Sequence, residues 1–464
     1  MASYCSLTNV LSSSKFSTLI SSRTDGISMT GGISMTDRET SGLPSTQSDL
    51  RMWVTVGILT LCYVFSVVDR LVINLLVDPI RADLGLSDLE IALIQGPAFA
   101  ILYATAGAPL GRLADVMSRR KLAAAAIAFW SACTALTGLA TNFLSIAAAR
   151  IGVGVGEAAL TPVAYSLFAD GLRRERLARA IAIYTAGGAL GSGLALIGGG
   201  WLYATFEAMG TAMMPWRLTL LAVGLPGLLL AGLVLLFVIE PPRRDPGPRL
   251  PVRHVLGHIA AQRSFYGWTF LAYAALATLL YAFMAWAPSH LIRGFGLTPG
   301  EAGMRFGTAM LVAGIGGPLL AGWVVDRIAL KMGALAPLRV MSAAFLCAIG
   351  LALVLPFVGD LNAAVVLLGA IGFFSTGMLG LPPTALQFAT PGRMRGLVSG
   401  INLMVGNLIG LSLGPVAVAL LSARMAGGLA PALAAVMAVA GVVGLIALFC
   451  VQAPQDIDGS TPTV

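Results

Sequence analysis

The sequence predicts an all-α integral membrane protein, with twelve transmembrane helices in two pseudo-symmetric six-helix bundles. Three observations carry this. The 464 residues are 57% hydrophobic and 11% charged, with mean hydropathy +0.86, whereas soluble domains hold about 25% charged residues. Twelve apolar runs approach the ~20 residues that cross a bilayer as a helix. A motif also occurs once in each half: Gly111, Asp115 and Arg120 after the second run stand in register with Gly322, Asp326 and Lys331 after the eighth. Duplicated membrane halves with a site between them are the plan of secondary transporters. This balance excludes a soluble enzyme and a nucleic-acid binder.

The runs fall near 53–77, 91–113, 121–140, 144–169, 178–203 and 217–239, then 266–291, 302–325, 338–358, 362–388, 396–421 and 430–452. They divide the chain into a disordered tail (1–51), a first bundle (52–240), a linker (241–263), a second bundle (264–453) and a closing tail (454–464). The tail to residue 51 is Ser- and Thr-rich with no apolar stretch long enough for a signal peptide. The linker is Pro-rich, then basic; His254 and His258 lie four apart on what reads as a solvated amphipathic helix, too few ligands for a metal.

Charge alternates between successive loops. After even-numbered runs come Arg119, Arg120 and Lys121, then Arg173, Arg174, Arg176 and Arg179, then the linker arginines, then Arg327, Lys331 and Arg339, then Arg393 and Arg395. The other loops offer Arg81, Arg293 and Arg424 beside the acids Asp78, Asp83, Asp88, Glu90 and Glu207. Basic loops stay in the cytoplasm, so both chain ends are expected there, in a multi-pass plasma membrane protein of bacterial inner-membrane type. The five cysteines show neither a disulfide framework nor metal spacing, and no cofactor or metal is expected.

Ionisable residues inside the runs carry the chemistry. Asp69 and Arg70 lie deep in the first, Arg150 and Glu157 in the fourth. A charge at a helix centre costs about 2.5–3.5 kcal/mol on insertion scales, so it faces a cavity, pairs or carries protons. Arg150 and Glu157 are seven apart, on nearly one helix face and about 10.5 Å apart along the axis. That is long for a direct bridge and leaves room for Asp69 between them. Asp69, Glu157 and Arg150 are therefore the expected proton-coupling set. The alternative is a permanent ion pair that fixes packing.

Gly111, Asp115, Arg119, Arg120 and Asp326 form the expected conformational latch, since charge-assisted hydrogen bonds at the basic loops are strong. Gly187 and Gly191 of the fifth run match Gly406 and Gly410 of the eleventh, small residues that allow helices to cross closely. The second bundle is nearly uncharged inside its runs, and Pro382-Pro383 breaks the tenth. Its polar and aromatic residues Tyr281, Trp286, Thr376, Gln387 and Asn402, with Tyr165 and Tyr184 of the first bundle, are the expected substrate cavity. An apolar wall with aromatic caps suits an amphipathic substrate better than a sugar.

Taken together, the two six-helix halves and the Gly111–Lys121 signature resemble the major facilitator superfamily. Val116 and Ser118 stand where that motif prefers a basic residue and Gly. A closer resemblance is to its spinster-like branch, through Asp69-Arg70, Gly111 to Lys121, Ala128-Phe129-Trp130-Ser131, and Arg150 with Gly154, Gly156, Glu157 and Ala158 ahead of Ala169-Asp170. That resemblance implies transport of lipid-like amphiphiles with proton coupling, Asp69 and Glu157 as protonation sites, and Arg150 as their tuner or the contact for an anionic headgroup. The expected partners are a small amphipathic or organic-anion substrate, protons and the bilayer, with the chain a monomer. Competing expectations are an organic-anion (sugar-acid) proton symporter with Arg150 as carboxylate clamp, or a drug efflux antiporter of the same superfamily. An intramembrane enzyme would need a nucleophile and base that no cluster supplies.

Overall fold

The structure is a computed structural model, and it describes residues 46–243, 251–392 and 394–453. Outside the described residues lie the tail to residue 45, Arg244, Arg249, Arg393 and residues 454–464, together with the side chains of Asp115, Arg174 and Lys331. The described residues form α1 (Thr46–Leu75), α2 (Val77–Leu84), α3 (Asp88–Gln95), α4 (Pro97–Val116), α5 (Arg119–Gly138), α6 (Phe143–Glu157), α7 (Leu160–Gly171), α8 (Arg174–Ala208) and α9 (Pro215–Phe237). After these come α10 (Val252–Ala261), α11 (Arg263–Phe295), α12 (Pro299–Met332), α13 (Ala336–Val354), α14 (Leu361–Gly377), α15 (Leu381–Ala389), α16 (Arg395–Ser422) and α17 (Leu429–Cys450). Twelve spans, some built from two of these helices, are long and apolar enough to cross a membrane.

Local chemistry sets the ends and breaks. Ser87, Asn142 and Thr298 cap α3, α6 and α12, each with a reciprocal bond from the third residue of its helix. The second span breaks at Gly96, where Pro97 starts α4. The fourth breaks at residues 158–159, immediately after Glu157, and the tenth at 378–380, just ahead of Pro382-Pro383. Residues 46–51, expected in the tail, belong to α1; a helix nucleated in the membrane propagates past its surface at little cost per residue. The linker contains α10, whose Val255 is buried while Val252 and Leu256 are exposed.

The even-numbered connections, the start of α1 and the end of α17 share one face, called here the basic face. On the opposite face the bundles close on each other. A Cβ added to Gly303 of α12 would stand 2.5 Å from the Leu196 carbonyl of α8, and one on Gly96 would stand 2.2 Å from the Leu411 carbonyl of α16. Leu411 is the residue whose carbonyl Pro415 leaves without its intrahelical donor, so the bare backbone at Gly96 sits against it. Gln95 Nε2 donates to the Ala285 carbonyl at 3.2 Å, and Arg293 of α11 clasps Asp78 of α2 at 2.6 Å and Asp88 of α3 at 2.8 and 2.9 Å. Eleven residues away on the same helix faces, Cβ atoms on Gly314 and Gly400 would meet nothing within 4 Å. The bundles therefore diverge towards the basic face and leave a cleft open there.

Candidate functional site

Close approach of small residues places the charged cluster. Glycines alternate through the end of α6: a Cβ on Gly154 would lie 2.5 Å from the Phe99 carbonyl of α4, and one on Gly156 would lie 2.8 Å from Trp130 Cβ of α5. These contacts seat the last turn of α6 between α4 and α5, within reach of α1, where Asp69 and Arg70 point in different directions because successive helical residues are 100° apart.

Glu157 Oε2 accepts from Arg70 Nη2 at 2.5 Å and Nε at 3.2 Å; the Glu157 side chain is 0% exposed and that of Arg70 13%. The Arg70 guanidinium also stacks over Tyr103 at 4.5 Å and Phe99 at 4.8 Å from the ring centres. Asp69 Oδ2 accepts from the Thr134 hydroxyl at 3.2 Å, and Arg150 Nη1 donates to the Asp69 carbonyl at 3.4 Å. Arg150 lies 5.3 Å from the Phe99 ring centre. Asp69 Oδ1, Glu157 Oε1, and Arg150 Nε and Nη2 are buried without partners among the described residues. With both carboxylates ionised the four groups sum to zero charge. One proton then leaves a net positive centre with arginine donors to spare.

The structure thus brings Asp69, Arg150 and Glu157 together, and adds a fourth member. The cation bonded to Glu157 is Arg70, which the expected set omitted. Two turns of α6 separate Arg150 from Glu157, whereas Arg70 reaches Glu157 directly from the neighbouring helix. Its place beside Asp69 in an apolar run was the available signal.

Around Arg70 the wall is aromatic. Tyr184 stacks on Tyr63 at 4.6 Å and accepts Tyr165 edge-on at 5.6 Å, and its hydroxyl lies 3.0 Å from that of Thr161. Tyr281, from the second bundle, lies in electrostatic reach of Arg70 and donates to Asn407 Oδ1 at 3.2 Å. Two residues expected to line the cavity instead tie the second bundle together. Trp286 is fully buried and donates to the Pro415 carbonyl at 3.0 Å, while buried Thr376 donates to the Ala313 carbonyl at 3.0 Å. The Trp286 N–H is taken up by a carbonyl of a neighbouring helix, and the Thr376 hydroxyl is shared between the Ala313 carbonyl and, at 2.8 Å, the Gly372 carbonyl of its own helix, as burial requires. Gln387 is exposed and donates to Ser399 at 3.3 Å; Asn402 is fully buried with both amide atoms unpartnered among the described residues.

Of the expected latch, Gly111 sits 3.8 Å (from its added Cβ) to Pro162 Cβ, and Asp326 is exposed at the basic end of α12. Arg120 is half-buried with Nε unpartnered among the described residues. Arg119 is 1% exposed and staples the first bundle to the start of the linker: it pairs with Asp170, donates to Ser166 Oγ at 3.1 Å and to the Pro241 carbonyl at 2.7 Å, and lies 3.6 Å from Glu240. Among the described residues these partners of Arg119 all lie in the first bundle or at the start of the linker.

Partial burial of Glu240 opposes its charge, but the Ser118 hydroxyl, the Arg119 backbone N–H and the Arg119 guanidinium outweigh it and hold its carboxyl below the usual carboxylate range. A lowered folded-state pKa gives stability that is present above the ordinary glutamate value and is lost as pH falls through the folded one. Glu240→Gln is expected to destabilise the purified protein by about 1 kcal/mol at pH 7. That gap to wild type in thermal unfolding should shrink as pH falls from the ordinary glutamate value through the lowered folded one, and a pH-independent gap would disprove the ionic role.

Comparison with known proteins follows this geometry. A family profile for the Major Facilitator Superfamily matches residues 59–415. The chain is 31% identical over 285 residues to an MFS-type efflux pump of Mycolicibacterium smegmatis, covering 60% of this chain and 63% of the pump's length. It is 25% identical over 417 residues to the D-galactonate transporter of Escherichia coli O6:H1, covering 84% of this chain and 93% of that one. The solved structure of a bacterial homologue of the human lysosomal transporter spinster, inward-facing and unoccupied, superposes with TM-score 0.73 at 25% identity, covering 86% of this chain and 94% of that one. With its twelve spans, two bundles and buried charged cluster, the chain belongs to the major facilitator superfamily, as a spinster-like multi-pass membrane transporter and not an enzyme.

Proposed function

We propose that the chain is a proton-coupled secondary transporter that moves a small amphipathic, lipid-like substrate with an anionic head by alternating access. The carrying observation is the cluster of Asp69, Arg70, Arg150 and Glu157, buried beside the cleft with one carboxylate oxygen on each acid and two Arg150 nitrogens unpartnered among the described residues. A proton on either acid leaves excess positive charge, which an anionic head neutralises; by linkage, proton and head then favour each other's binding. The tyrosine wall offers apolar faces with polar tips to the rest of an amphiphile. Basic loops mark the cytoplasmic side, which puts both chain ends and the open cleft there, in a bacterial inner membrane. Each chain encloses its own cleft, so the monomer is the working unit.

The second reading is a sugar-acid symporter, favoured by the two free Arg150 nitrogens as a carboxylate clamp and by the long match to the galactonate transporter. A thermal-shift screen separates them, because a ligand that binds only the folded state raises its stability. Lysophospholipids are expected to stabilise the purified chain above the effect of matched neutral detergent, and D-galactonate is not; the reverse pattern favours the sugar acid.

A further inference from the structure

We infer that a groove on the outer wall of the second bundle binds an anionic phospholipid of the surrounding bilayer, one acyl chain lying between α12 and α13 and the phosphate meeting Arg339. The cavity measures about 310 Å³ and is lined only by α12, α13 and α14. It shares no residue with the Asp69–Glu157 cluster and stands independently of the transport reading.

Helix packing opens the groove. At mid-span α12 lies directly on α14, where a Cβ on Gly317 would stand 2.2 Å from the Phe373 carbonyl. α13 instead seats its buried face on α17, with Phe345 against Gly444. The space left between α12 and α13 is floored by Phe373, Phe374 and Gly377 of α14. Leu320, Ala343 and Cys347 on its rim are exposed. The main packing partners of α13 are α12, α14, α15 and α17, all of the second bundle, so this wall faces the bilayer rather than the cleft.

The chemistry of the lining selects the occupant. Apart from Arg339, its side chains are hydrocarbon with the sulfurs of Met332 and Cys347. Left empty, such a surface forfeits its dispersion contacts, which an acyl chain restores. The fifteen residues from Gly317 to Met332 rise about 22 Å along α12, against about 15 Å for the hydrocarbon of one leaflet. The groove therefore runs from mid-membrane to headgroup level at the basic face. At about 30 Å³ for a water-sized group it holds roughly ten such groups, the scale of one chain. A helix of a second copy, about 10 Å across, is too wide for it.

Arg339 selects the head. It lies in the first turn of α13, exposed, with no ion pair or hydrogen bond among the described residues, and no acid shares the lining. Asp326 is two residues beyond Val324, hence 200° around α12 and away from the groove. Arg327, outside the lining, is stacked on Trp323 at 4.5 Å from the ring centre. A guanidinium forms strong charge-assisted bonds to phosphate oxygens, and basic pockets between spans on the cytoplasmic side recruit anionic headgroups. A zwitterionic head brings its own cation and gains less.

The test is native mass spectrometry of the full chain in neutral detergent with added dioleoyl phosphatidylglycerol or dioleoyl phosphatidylcholine. Wild type is expected to retain one phosphatidylglycerol per chain, saturably and at least tenfold more strongly than phosphatidylcholine. Arg339→Gln, an exposed change that spares the fold, should erase that preference. Arg327→Gln removes the same charge outside the groove and should keep it. Ala344→Phe fills the groove and should abolish retention. Bound phosphatidylglycerol should also slow alkylation of Cys347 by N-ethylmaleimide at least fivefold, read by peptide mass, which a lipid held elsewhere would not do. Equal retention of the two lipids by wild type, an unchanged preference in Arg339→Gln or an unprotected Cys347 would overturn the site. Retention lost in Arg150→Ala would move the lipid to the central cluster, and lipid-free dimers lost in Ala344→Phe would give the groove to a second copy; either result contradicts the assignment.

Discussion

Glu157→Gln is expected to abolish substrate accumulation driven by a pH gradient, while substrate exchange at equal pH on both sides survives. Glutamine keeps the shape of the side chain and an oxygen that can accept from Arg70, but it cannot take up or release a proton. Glu157 is fully enclosed and holds one bonded and one free oxygen, so protonation can occur on the free oxygen while the Arg70 contact persists. Its environment combines two guanidiniums with a second acid one helix away. A movement of α1 against α6 would remake these contacts, which is what coupling to alternating access demands. The measurement is uptake into vesicles beside counterflow exchange. Loss of both would make Glu157 a structural residue, and retention of gradient-driven uptake would leave Asp69 as the proton carrier.

The two arginines are expected to separate. Arg70→Ala strips Glu157 of its bonded cation inside the membrane, and removing one partner of a buried pair costs about 3–5 kcal/mol because the other charge is left uncompensated. A marked fall in thermal stability should accompany loss of transport. Combining it with Glu157→Gln should recover much of the stability, since no lone charge remains. Arg150→Ala breaks the longer 3.4 Å bond to the Asp69 carbonyl and a contact with Phe99 and leaves one buried carboxylate without its balancing charge, so a smaller fall in stability than in Arg70→Ala is expected, with substrate binding weakened at least tenfold. If Arg70→Ala proves as stable as wild type and Arg150→Ala unfolds, the roles assigned here are interchanged.

The contrast shows what the sequence could and could not convey. Apolar run length carried the spans, because a bilayer imposes one length on every helix. The break in the tenth span was visible in Pro382-Pro383, since proline cannot donate within a helix. The buried charges were visible by their rarity. What run length and composition do not contain is the rotation of one helix against the next. That rotation decides that Arg70, not Arg150, meets Glu157, and that Trp286 and Thr376 turn into the second bundle rather than towards the cleft. Arg119 shows the same limit: its basic cluster suggested a latch without naming the partners of Arg119, and Asp170 and Glu240, 51 and 121 residues further along, are not legible from spacing. Gly154 and Gly156 stood out in the sequence as part of the motif around Glu157, and the close approach of Phe99 and Trp130 gives the physical reason for small residues there.

Coupling of substrate flux to protons is the central claim, and one measurement addresses it directly. Wild-type chain is reconstituted in vesicles with the substrate that stabilises it, and uptake is followed with the outside acidic, with equal pH, and with the acid gradient collapsed by a protonophore. Accumulation above equilibrium is predicted with the outside acidic, falling to simple equilibration in the other two conditions. Equal uptake in all three would contradict the account and reduce the Asp69–Arg70–Arg150–Glu157 cluster to a packing device.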